Sequence, residues 1–343
     1  MNGRQKITGI MSRDGVSGPA YWKGNPHKDA LKIYLGHFGA GSEEELSVML
    51  GDDLRWRHAE TAYRHPEGKP IFDCYLGKEK TSHGQRGVFA ECESVKEVDA
   101  FPWPDVRYLD FSEYRKTAER TISEGMAFFG GFWCPYFHIV ADFFGMETYF
   151  IKMHENPAVV EAVTSRVLDF YCEANRLLFE DMGSLIDVFF FGNDFGTQLD
   201  LIISPGLFRK FVLPGIERLA GIASGYNIKT MLHSCGAIAK ALPAIIDAGV
   251  DGVHPIQAKA AGMDAISLKR EFGGDLVFMG GVDTQDLLPF GSPEEIRNEV
   301  FRLMDIFGSD YIVSPSHEAL LANVSPENLL AMSQAAIHER KAI

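Results

Sequence analysis

A chain of 343 residues, 46% hydrophobic and 23% charged, is long and apolar enough to bury an ample core, either as two domains or as one large barrel. Its formal charge of -14, from 33 Lys and Arg against 47 Asp and Glu, leaves no basic face for phosphate neutralisation, so nucleic acid is excluded as the expected partner. Met1-Asn2-Gly3-Arg4-Gln5-Lys6 has no apolar run behind it and no stretch of about 18 apolar residues occurs, so neither a signal peptide nor a membrane span is expected, and the expected location is the cytoplasm.

Residues 1 to 27, with Gly3, Gly15, Gly18, Pro19, Gly24 and Pro26, read as an irregular leader. His27 to Phe38 and Ser42 to Gly51 read as helices, the second opened by the capping box Ser42 and Glu45. From Asp52 to Ser94 the pattern shortens to 54–57, 70–75 and 87–91, which suggests strands of a small sheet covering a larger body. A helix is expected from Asp110 to Gly125.

From residue 126 apolar runs alternate regularly with helical periodicity. The runs are 127–132, 187–192, 228–235, 252–256, 276–281 and 311–315, and the helices 136–153 with 156–182, 204–225, 236–246, 263–272, 292–307 and 325–338. Strands apolar on both faces, each followed by a helix, imply a parallel sheet covered by helices. Six such units plus one or two from the N-terminal third would close a (β/α)8 TIM barrel, an α/β fold. A doubly wound sheet would carry a G-x-G-x-x-G loop, and none occurs. The expected organisation is therefore residues 1–125 as a helical and small-sheet extension contributing the first strand or strands, and 126–343 as the main part of the barrel.

Five cysteines, Cys74, Cys92, Cys134, Cys172 and Cys235, are odd in number and unrelated in spacing, which argues for reduced thiols. Only Cys235 has a metal-like neighbour. His233 and Cys235 stand two apart where a strand runs out, so both side chains can face one point. Polar groups at the other strand ends are Trp133 and Cys134, Asn193 and Asp194, His254 and Gln257, Asp283, and His317 with Glu318. His317, 82 residues beyond Cys235, is the best placed third ligand. Imidazole and thiolate together favour Zn2+, and three protein ligands leave one position for a substrate.

Of the rest, Asp194 is a candidate catalytic group, able to accept a proton or orient a substrate, and Asn193, Gln257 and Trp133 are candidate substrate contacts. His254, followed by Pro255, reads as satisfying backbone groups, and Asp283 as holding a loop. Phe128, Phe129, Phe132, Trp133 and Tyr136 group at one rim, where they would suit an aromatic guest, although phenylalanine at that spacing more often packs in a core.

His233-Ser234-Cys235-Gly236, Asp247-Ala248-Gly249-Val250-Asp251-Gly252, Met279-Gly280-Gly281-Val282-Asp283, Ser314-Pro315-Ser316-His317 and Val324-Ser325-Pro326-Glu327-Asn328-Leu329 together resemble the uroporphyrinogen decarboxylase superfamily. Gly192-Asn193-Asp194-Phe195-Gly196-Thr197-Gln198, Ile203-Ser204-Pro205 and Phe144-Gly145-Met146-Glu147 extend the likeness to residues 125–335. That resemblance implies a (β/α)8 barrel, and the H-x-C element resembles the zinc-containing, corrinoid-dependent methyltransferase branch. There His, Cys and a later Cys hold zinc; here the later position is His317, which makes the site less thiolate-rich and more electrophilic.

The resemblance implies methyl transfer between a small-molecule methyl ether or thiol and the cobalt of a corrinoid on a separate protein, since no D-x-H-x-x-G segment for cobalamin occurs in this chain. Zinc would act as the Lewis acid on the heteroatom. A homodimer is left open. The decarboxylase branch would bring an arginine-rich R-x-x-G-R segment near the N-terminus, where this chain has only Arg4 and Arg13. A third reading is a non-catalytic protein that holds a corrinoid or aromatic ligand at the barrel mouth.

Overall fold

The apolar runs become strands whose spatial order follows the chain. The computed structural model describes residues 1–15 and 18–338. Its strands are β1 (Ala20–Tyr21), β2 (Leu54–Trp56), β3 (Ala127–Gly130), β4 (Val188–Gly192), β5 (Lys229–His233), β6 (Gly252–Ile256), β7 (Val277–Val282) and β8 (Tyr311–Pro315). Each of β2 to β7 pairs in parallel with the next, and β8 also pairs with β1. Asp53 donates its N–H to the Tyr21 carbonyl at 2.9 Å, joining β1 to β2 and bringing the ring round. With helices following the strands, this is a (β/α)8 barrel.

Alternation along each strand divides two cores. Val188, Phe190, Met231, Val277, Met279 and Ile312 pack inside the ring. Phe189, Phe191, Leu232, Phe278 and Val313 face outward against the helices. Because Met231 points inward, His233 two residues on does so too, and side chains at inward positions past the strand end collect over the barrel mouth.

The leader is not irregular. Gly3–Ser12 is a helix whose Asn2 cap and Gln5 form a capping box, and its Ile7, Ile10 and Met11 close the lower end of the barrel interior. The expected strands at 70–75 and 87–91 are also absent: those residues form turns and loops. Their apolar side chains still pack on the core, half-buried Phe72 against Phe143 and Phe170, and buried Phe89 against Phe143 and Phe144, so a covering loop produced the alternation that suggested a sheet. The segment 54–57 is a strand, but as β2 of the barrel itself.

Two expected helices are broken. Gly145, at φ 86°, separates Tyr136–Phe144 from Met146–Glu155, and Pro214 opens a new helix, Leu213–Gly225, after Pro205–Phe211. Among the described residues no helix is long and apolar enough to cross a membrane.

Candidate metal centre at the barrel mouth

The turn after β5 is held by every N–H it offers. Ser234 N–H donates to the His254 carbonyl (2.7 Å), Cys235 N–H to Asp194 Oδ1 (2.9 Å), Gly236 N–H to Gln257 Oε1 (2.6 Å) and Ala237 N–H to the Thr197 carbonyl (2.7 Å). Gly236, at φ 87°, lies against the backbone of Gly196; a Cβ there would come within 2.4 Å of Gly196 C and O. Only a residue without a side chain permits that approach, and it presses the loop after β4 onto the turn that carries Cys235.

Ligand atoms of Asp194, His233 and Cys235 lie within 4.8 Å of one another, and so do those of Cys235, His317 and Glu318. Cys235 is common to both groups. Its Sγ is 3.5 Å from His233 Nε2, which is 3.3 Å from Asp194 Oδ1 and 3.7 Å from Glu318 Oε2; Glu318 Oε2 is 3.4 Å from His317 Nδ1. Cys235 thus meets His233 in one group and His317 in the other, while neither group holds both histidines, and the strand-end carboxylates Asp194 and Glu318 each join one of the two.

Burial alone would discharge Asp194, but the His233 side chain and the Cys235 N–H outweigh it and hold the carboxyl below its usual range. His233 is buried, which disfavours its charged form, yet Asp194 and Glu318 raise its affinity for a proton. Burial, followed by the charges of Asp194 and Glu318, pushes the Cys235 thiol well up. Two triads that share the Cys235 thiol, each adding one imidazole and one carboxylate, with Glu318 Oε2 buried and lacking a hydrogen-bond partner, form a donor set that a borderline divalent cation such as zinc would complete.

His254 was expected to satisfy backbone groups, but the register pairs it with His233 and sets the two Nδ1 atoms 2.9 Å apart. Beneath them lie Trp22, 5.6 Å from the His254 ring, Trp133, 5.1 Å from the His233 ring, and Phe190; Trp56 packs on Trp133 and Phe190. This aromatic floor separates the polar cluster from the barrel core. Of the five clustered aromatics, Phe128, Phe129, Phe132 and Tyr136 are fully buried core, the more frequent use of such a run, and Trp133 alone of the five reaches the site.

Asn193 does not reach out to a guest. It is buried, its Oδ1 accepting from Phe137 N–H (2.8 Å) and its Nδ2 donating to the Cys134 carbonyl (3.0 Å). Asp283 accepts from the N–H groups of Gln285, Asp286 and Leu287, holding its loop. Gln257 lies outside the donor cluster; beyond its bond to Gly236 it lines a cavity of about 230 Å³ that opens beside His317. Sequence spacing could have indicated His254, one strand over from His233, had the register been known; Asp194 and Glu318 needed the loops.

Residues 88–339 match the family described as uroporphyrinogen decarboxylase (URO-D). Over 100 residues the chain is 34% identical to the methylated-thiol--coenzyme M methyltransferase of Methanosarcina mazei, a match that takes in 28% of this chain and 24%, about a quarter, of that protein. A methyltransferase from Methanosarcina mazei of known structure superposes with a TM-score of 0.66 over 99% of both chains at 17% identity, a likeness of fold.

Proposed function

The chain belongs to the uroporphyrinogen decarboxylase (URO-D) family, and on that footing we propose that it is a zinc-dependent methyltransferase, moving a methyl group between the oxygen or sulfur of a small molecule and the cobalt of a corrinoid on a separate protein. The observation that carries this reading is the convergence of His233, His317, Asp194 and Glu318 around Cys235 at the C-terminal mouth of the barrel. The name of the Methanosarcina relative, a methylated-thiol methyltransferase, supports sulfur as the heteroatom.

His233, Cys235 and His317 would hold the ion, with Glu318 beside them. Zinc, when bound, supplies Lewis acidity that stabilises negative charge on the substrate heteroatom. The remaining work belongs to the chain. Asp194 was a candidate proton acceptor, but a carboxyl held below its usual range is a poor base near neutrality, so its role is to fix the Cys235 backbone and the His233 ring. Trp133, Trp56 and Phe190 keep water from beneath the site.

The two arginines nearest the N-terminus do not serve the decarboxylase reading. Arg4 pairs with Asp187, which precedes β4, and Arg13 bonds to the Gly274 carbonyl, which precedes β7, so both lie at the lower end of the barrel, away from the mouth.

The test is zinc analysis followed by a screen of methyl ethers, methyl thioethers and thiols with cobalt(I) or methyl-cobalt(III) corrinoid, read in the visible spectrum. About one zinc per chain with a spectral change on methyl transfer is the expected result. A metal-free chain of normal fold would favour the non-catalytic binder, and loss of carbon dioxide from a porphyrinogen with the cobalt spectrum untouched would favour the decarboxylase.

A further inference from the structure

The cavity beside His317 has a defined chemistry. Gln257 and Ser316 are buried in its wall with Thr284 next to them, and Gln285 and Asn323 stand at its exposed edge. Gln257 spends Oε1 on the Gly236 N–H, which leaves its amide nitrogen without a bond to the described residues. Ser316 Oγ accepts from Thr284 N–H at 3.1 Å and lies 3.2 Å from Thr284 Oγ1. The side chains of Gln285 and Asn323 have no hydrogen-bond partner among the described residues.

Three carboxamides and two hydroxyls therefore line one space, together with His317 and the apolar Ala319, Leu321 and Val324, and no Lys, Arg, Asp or Glu lines it. The charges nearby do not favour an anion. The Lys259 ammonium is bound by Asp286 and lies 3.6 Å from Asp283, and the donor cluster next door contributes Asp194 and Glu318. Zinc held through His317 would already be matched in charge by the Cys235 thiolate, Asp194 and Glu318, so a carboxylate or sulfonate entering this space would lose hydration and meet no uncompensated positive charge, whereas a hydroxyl or amide would exchange water for hydrogen bonds. At about 230 Å³ the space is smaller than the roughly 300–1,000 Å³ that drug-sized ligands occupy, so the guest is small.

We propose that this cavity receives the non-reacting end of the methyl-transfer substrate and selects uncharged, hydroxyl- or amide-bearing molecules over carboxylates and sulfonates of the same size. The identity of the reacting end rests on the methyltransferase reading; the charge preference rests on the cavity alone.

Matched pairs test it: 2-mercaptoethanol against 2-mercaptoethanesulfonate, and 3-methoxyphenol against 3-methoxybenzoate. Each is titrated calorimetrically into the zinc-treated protein and then offered for methyl transfer with the corrinoid. The uncharged member should bind at least about tenfold more tightly, and Asn323→Lys or Gln285→Lys, both at exposed positions, should narrow the gap by strengthening the anion. Equal or tighter binding of the anions to the unsubstituted chain, no binding by any member of either pair, or a gap unmoved by both lysines would overturn the proposal. Charge discrimination in binding without methyl transfer by any compound would overturn the methyltransferase reading and leave this one standing; methyl transfer without discrimination would do the reverse.

Discussion

The Nδ1 atoms of His233 and His254 face each other at 2.9 Å, so a single proton lies between the two rings. If His233 offers the Nε2 lone pair to a cation, its proton sits on Nδ1 and is donated to His254, whose own proton is then on the buried, unpartnered Nε2. Burial first, then the imidazoles of His233 and His317, hold His254 well below the usual histidine value, so it stays neutral and able to accept. His254→Phe should weaken zinc by about 10–100-fold in chelator competition. Thermal stability should change little, and in the zinc-loaded parent the nitrogen NMR shifts of His254 should report the Nε2–H tautomer. The opposite tautomer would sink the assignment.

Cys235 stands at the junction of both donor groups. If about 10–16 kcal/mol of zinc binding is shared among four ligands, Cys235→Ala removes roughly 3 kcal/mol, on the order of a hundredfold in affinity. Because the side chain is only partly buried, the metal-free variant should unfold within about 1 kcal/mol of the parent. Full zinc retention by the variant would remove Cys235 from the ligand set.

Zinc has to displace protons that this site holds tightly. Asp194 and Glu318 overcome burial to raise His233, and burial together with those carboxylates raises Cys235. Below the raised His233 value both protons leave on binding, so affinity should climb about a hundredfold per pH unit; above it only the thiol proton leaves, and the slope should fall to about tenfold. The metal-free protein follows the matching rule: the charged His233 stabilises it fully below the ordinary imidazole value of about 6.5, and that contribution is lost as pH rises through the raised folded value. Calorimetry in buffers of different ionisation enthalpy counts the released protons, and an affinity indifferent to pH would refute the scheme.

Two glycines separate strain from contact. Gly236→Ala combines a positive φ with backbone atoms of Gly196 at 2.4 Å, so it should cost about 2–4 kcal/mol in denaturant unfolding and also weaken zinc, because Cys235 must move. Gly249→Ala has a similar φ of 86° with nothing within 4 Å, and should cost only about 1 kcal/mol with zinc affinity unchanged. Equal losses in the two variants would deny any special role to the Gly196–Gly236 approach.

Asn193 distinguishes fold from function. Asn193→Ala leaves the Phe137 N–H unpaired in the core and the Cys134 carbonyl with only its bond from the Tyr136 N–H, which should destabilise the protein by about 1–3 kcal/mol. The folded fraction should still take up zinc normally. A variant of normal stability with weakened substrate binding would restore Asn193 to the substrate side.

The barrel was legible because β4 to β8 are apolar on both faces and each precedes a helical pattern. Two-residue β1 carries no periodicity at all, and it became a strand only because β8 lends it an edge to pair with. The helix Gly3–Ser12 was hidden by its glycines, although Asn2, Gln5 and the spacing of Ile7, Ile10 and Met11 held the signal. At the site, His233 and Cys235 follow from a two-residue period along one strand. Glu318, Asp194 and His254 depend on register and loop path, which no local pattern encodes.

β8 touches two things at once: it pairs with β1, and the loop that leaves it carries His317 and Glu318. During translation the emerging chain can therefore present His233 and Cys235 only as an incomplete pincer until its last barrel strand has docked. Ring closure and completion of the donor set are one event, so a fully coordinated ion would report a finished barrel, and a half-made one would have little means of capturing metal firmly.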